Sequence, residues 1–121
     1  MTKEASAVLV VDDEDDIREF AATVFEELGL TVYQAANGQE ALAILERQSN
    51  IRVLFSDVRM PGMSGAELAA RVHQRWPELR VVLTSGYVGG VAVQDIDFLP
   101  KPYRPGDIRR AVLGKLDVAE E

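Results

Sequence analysis

Five short runs rich in β-branched and aliphatic residues alternate with stretches whose apolar residues recur at helical spacing, and this alternation constrains the fold more than any other feature. The runs are "AVLVV" (Ala7–Val11), "TVYQA" (Thr31–Ala35), "IRVLFS" (Ile51–Ser56), "RVVLTS" (Arg80–Ser85) and "IDFL" (Ile96–Leu99). Between the first two, Ile17, Phe20, Ala21, Val24, Phe25 and Leu28 mark one face of a helix that Gly29 closes. Asn37 and Gly38 open a second helix whose inner face is Ala41, Ile44 and Leu45. After the Pro- and Gly-bearing turn "DVRMPGMSG", Ser64 caps a third helix. Glu67 completes a capping box there, Leu68, Ala69, Val72 and Trp76 face inward, and Pro77 stops the helix. Pro105 starts a last helix carrying Ile108, Ala111, Val112 and Leu116. Strands that are apolar nearly throughout must be covered on both faces, so the pattern predicts a doubly wound α/β fold around a parallel sheet.

Length and charge narrow the function classes. A chain of 121 residues predicts one domain, spanning 1–121. Its 20 acids against 13 bases, a net charge of −7, argue against direct binding of nucleic acid, because phosphate backbones reward clustered Lys and Arg. No apolar run approaches a membrane span and the N-terminal "MTKEASA" lacks the apolar core of a signal peptide, which predicts a cytoplasmic protein. The absence of cysteine removes disulfides, thiolate zinc sites and cysteine nucleophiles.

In doubly wound sheets, ligands bind beyond the carboxyl ends of the strands. Asp12 and Asp13 follow the first strand, Asp57 the third, Ser85 the fourth and Lys101 the fifth. Three carboxylates, a hydroxyl and an amine therefore converge on one rim. Like charges so placed repel unless a cation compensates, and a hard divalent ion such as Mg²⁺ suits carboxylate oxygens and water. Glu14, Asp15 and Asp16 have a plainer reading, as acids that complement the dipole and cap free amides at the start of the first helix.

With these positions in view, "VVDDE", "FSDVRMPGMSG", "VVLTSGY" and "FLPKPY" together resemble the receiver domain of bacterial response regulators, over Val8 to about Leu116. The resemblance implies a five-stranded parallel sheet of order 2-1-3-4-5 with flanking helices. It implies that Asp57 is the phosphoacceptor, taking a phosphoryl group from the phosphohistidine of a histidine kinase or phosphotransfer domain. Mg²⁺ would be held by Asp12, Asp13, Asp57 and the backbone carbonyl of Arg59, and Lys101 would pair with a phosphoryl oxygen. Ser85 matches the switch hydroxyl, with Thr84 a competing candidate, and Phe98 matches the aromatic whose rotamer follows it. Lys101-Pro102 would be a cis bond. Such a protein is a signalling phosphoacceptor that assists its own phosphorylation and dephosphorylation, not an enzyme acting on an external substrate. Its downstream partner is not legible, and "TSGY" leans toward receivers of the hybrid sensor kinase type.

The chain departs from the family between Ser85 and Lys101. Gly86–Asp95, "GYVGGVAVQD", leaves little room for the family's fourth helix and is rich in Gly and Val, so that helix is predicted absent or very short. Two other function classes remain open from the residues alone. A metal-dependent phosphohydrolase with an Asp nucleophile uses similar folds, although such enzymes usually carry an acid where this chain has Arg59. A pseudo-receiver would be a binding module only. His73, the single histidine, reads as exposed on the third helix, while Phe25, Tyr33 and Trp76 read as packing residues.

Overall fold

The computed structural model describes residues 6–85, 96–100 and 105–106, with Ser85 and residues 96–100 described by their backbone. In chain order the elements are β1 (Ala7–Val11), α1 (Asp15–Glu27), β2 (Thr31–Ala35), α2 (Gly38–Arg47), β3 (Ile51–Asp57), α3 (Gly65–Arg75), β4 (Arg80–Ser85) and β5 (Ile96–Pro100). All strand pairs are parallel and the sheet order is β2-β1-β3-β4-β5. The doubly wound α/β expectation holds. The predicted reduction of a helix within Gly86–Asp95 and the course of the last helix past Pro105 and Gly106 lie outside the described residues.

Alternation along the strands divides the core into two layers. Leu9, Val11, Leu54, Val81 and Leu83 point to one face and pack with Ala41 and Leu45 of α2 and Leu68, Ala69 and Val72 of α3. Val8, Val10, Val53, Phe55 and Val82 point to the other and meet Ala21, Val24 and Phe25 of α1. Phe25 and Phe55 meet edge to face, their ring centroids 5.2 Å apart, a preferred aromatic geometry. Phe20 departs from the expected helix face: it is 41% exposed. Ala22, on the opposite flank of the helix, is buried instead, so the covered face of α1 is rotated away from Phe20 relative to what its periodicity suggests. Ile44 and Trp76 are half-buried at the margin of the α2/α3 layer, and Trp76 is the C-cap residue of α3.

Local chemistry fixes where the helices begin and end. Gly29, at φ 89°, ends α1 in a Schellman arrangement in which Leu30 N–H donates to the Phe25 carbonyl and Gly29 N–H to that of Glu26. Asn37 caps α2 by accepting from Glu40 N–H, and Ser64 and Glu67 form the predicted capping box of α3. The N-terminus of α1 differs from expectation, because its N-cap Glu14 makes no side-chain cap bond. Asp12, two residues upstream, accepts the Glu14 N–H at 2.9 Å instead.

Candidate functional site

Three of the sequence-predicted residues converge at the carboxyl rim of the sheet. Asp12 follows β1 directly and Asp57 is the last residue of β3, which runs one residue further than its apolar pattern suggests. Because β1 and β3 are neighbours in register, with Val11 opposite Ser56, their ends bring Asp12, Asp13 and Asp57 together. One carboxylate oxygen from each lies within 4.8 Å of the others. Asp12 and Asp57 are 3% and 5% exposed while Asp13 faces solvent. Withdrawing two carboxylates from water this close to a third is costly unless hydrogen bonds or a cation compensate. An oxygen-only donor set with one open side suits Mg²⁺, which keeps several of its waters. Beside Asp13 an open cleft of about 440 Å³ runs between Ala36–Gln39 and Pro61–Met63.

The backbone around Asp57 is tightly held. Val58 N–H donates to the Thr84 carbonyl at 2.8 Å, prolonging the β3/β4 ladder past the aspartate. The fully buried Ser56 hydroxyl donates to the Asp57 carbonyl at 2.9 Å, and Gly65 N–H donates to the Val58 carbonyl at 2.8 Å. A Cβ on Gly65 would stand 2.2 Å from the Asp57 carbonyl oxygen and 2.9 Å from Val58 Cα, so the first residue of α3 must be glycine for the helix to seat there. A Cβ on Gly38 would stand 2.7 Å from Met63 Sδ, which sets α2 against the same β3–α3 loop. That loop turns through Gly62 at φ 80°, a left-handed conformation that favours glycine. Gly65 and Gly38 are functional supports that sequence reading passed over. "MSG" ahead of a helix signals a cap, and nothing local reveals that the same glycine abuts a backbone eight positions earlier.

The remaining predicted residues divide by what is described. Arg59 lies two residues beyond β3 with its side chain exposed. Thr84 is buried and is the register partner of Asp57; Ser85 follows it, opposite Pro100. The Phe98 backbone pairs with Leu83. The side chains of Ser85 and Phe98, and Lys101 with its bond to Pro102, lie outside the described residues. His73 is exposed, as expected.

This rim, on this sheet order, matches the response regulator receiver domain, whose family model covers residues 8–113. The chain belongs to that family. The receiver domain is 33% identical over 106 residues to the sensor kinase CckA of Brucella abortus, a match covering 82% of this chain and 11% of that protein. It is 38% identical over 111 residues to the DNA-binding transcriptional regulator NtrC of Salmonella typhimurium, covering 87% of this chain and 23% of the regulator. The chain thus spans about a tenth to a quarter of these curated relatives. Among solved structures, the receiver domain of the hybrid histidine kinase CckA superposes with a TM-score of 0.81 at 35% identity, covering 92% of this chain and 99% of that one. Receiver domains bind Mg²⁺ through an acidic pocket and act with histidine kinases, and this chain carries a cluster of three aspartates at the corresponding rim. Among the described residues no helix is long and apolar enough to cross a membrane.

Proposed function

We propose that this chain, as a single receiver domain over residues 1–121, accepts a phosphoryl group on Asp57 from the phosphohistidine of a histidine kinase or phosphotransfer domain in the cytoplasm. The observation that carries this reading is the convergence of Asp12, Asp13 and Asp57 at the ends of adjacent strands, two of them buried. In the reaction an Asp57 carboxylate oxygen attacks phosphorus, the P–N bond of the donor breaks, and the imidazole leaves to be reprotonated by solvent while an acyl phosphate forms. Asp12, Asp13, Asp57 and the Arg59 carbonyl are the groups that hold Mg²⁺, which when bound offsets charge on the transferring group. Asp57 is held for this role by the ladder bond beyond it and by the close seat of Gly65. Lys101 pairs with a phosphoryl oxygen, and Ser85, with Thr84 as the alternative hydroxyl, senses it together with Phe98. The outcome is a shift between conformations that a downstream protein reads, not turnover of an external substrate.

The test is intact mass after adding a small phosphodonor, with and without Mg²⁺, on the wild type and Asp57→Asn. The expected result is a Mg²⁺-dependent gain of one phosphoryl group that the variant lacks. Catalytic accumulation of free phosphate without an adduct would instead indicate a phosphohydrolase. Absence of both would indicate a binding module.

A further inference from the structure

Arg18 stands one turn into α1, and its guanidinium reaches three elements at once. Nη1 donates to the Asp12 carbonyl at 2.8 Å, Nε to Gln34 Oε1 of β2 at 3.1 Å, and Nη2 to Asp15 Oδ1 at 2.7 Å. Its side chain is only 15% exposed although it carries a full charge, whereas that of Asp15 is 78% exposed. The Asp15 pair is therefore a surface ion pair of small worth, and the bonds to Asp12 and Gln34 are what hold the guanidinium in place. A planar fork fixes the direction of each bond as a flexible ammonium does not. Arg18 thus donates to the Asp12 carbonyl and Glu14 N–H to its carboxylate, while the Asp12 N–H donates to the Ala35 carbonyl of β2.

We propose that Arg18 is a positioning residue for the acidic pocket, fixing the β1–α1 turn so that the Asp12 and Asp13 carboxylates stand ready for the cation. The inference rests on the metal reading above. Two effects of Arg18 on a nearby cation have opposite signs, which makes the proposal testable. The field of a guanidinium disfavours a second positive charge, so a residue acting only through its charge would raise Mg²⁺ affinity when removed. A residue acting through the turn's geometry would lower it.

The experiment is calorimetric titration of the 121-residue protein with Mg²⁺, together with amide exchange at Glu14 in the metal-free state. Arg18→Met should weaken Mg²⁺ binding about tenfold, the scale on which groups that orient metal ligands act, and should speed Glu14 exchange. Arg18→Lys keeps the charge and loses the fork, and should recover less than half of the loss. Gln34→Leu removes one acceptor on an exposed strand position and should weaken binding about twofold by loosening the guanidinium. Unchanged or tighter binding in Arg18→Met overturns the proposal, and if that variant does not fold, unchanged affinity in Gln34→Leu overturns it. A loss confined to transfer from a kinase, with Mg²⁺ affinity intact, also overturns it and makes Arg18 a recognition residue. A wild type that binds no Mg²⁺ overturns the metal reading itself, and the role of Arg18 with it.

Discussion

At the carboxyl ends of β1 and β3, two aspartates are withdrawn from solvent beside a third, in a frame of backbone bonds and obligatory glycine. At the opposite end of the molecule, where α2 and α3 finish, Arg75 meets Glu46 through a two-pronged ion pair whose side chains are 61% and 44% exposed, and the Arg75 guanidinium stacks over Trp76 at 5.0 Å. Both regions are charged, yet the second pairs opposite charges in water, where folding costs little, while the centre of the first gathers three carboxylates. Gathering like charges in this way opposes folding unless hydrogen bonds or a cation compensate, which is the pattern the proposed metal-binding role would require.

Three effects, read on four substitutions, sharpen that contrast. The largest effect is expected at Gly65→Ala, because its Cβ would meet backbone that has nowhere to go. Denaturant unfolding should show a loss of about 3 kcal/mol, at the upper end of overpacking costs. Next comes the metal's contribution at the acidic rim. At a Mg²⁺ concentration ten times its dissociation constant, the wild type should gain about 1.4 kcal/mol, read as a rise in melting temperature. Asp12→Asn or Asp57→Asn should lose most of that gain while Glu46→Gln keeps it, and an equal gain in all four proteins would erase the distinction between the two ends. The smallest effect is at the far end, where Glu46→Gln should cost below about 0.5 kcal/mol, shrinking further in high salt.

Much of this arrangement is legible in the sequence because it is local. Periodicity places every described strand and helix, "SGAE" announces the α3 cap, and acids directly after apolar strands mark the rim. What escapes is of another kind. Phe20 has the right spacing to be buried but stands at the edge of the face that β1 and β3 cover, and periodicity alone does not give that face's rotation about the helix axis. Glu14 has the composition of a cap, yet the carboxylate that takes its amide is that of Asp12. Arg18 and Gly65 owe their importance to groups that arrive from elsewhere in the fold: a carbonyl and an amide side chain for one, a carbonyl oxygen too near for any methyl for the other.

The pairing of β1 with β3 also sets when the acidic cluster can exist during folding. Asp12 and Asp57 are about 45 residues apart in the chain, so no local hairpin or helix can assemble them; the intervening chain must close for β1 and β3 to pair, with the entropy that long closures demand. On the proposed metal reading, cation capture during refolding is a clock for that closure, reporting once the first and third strands have docked.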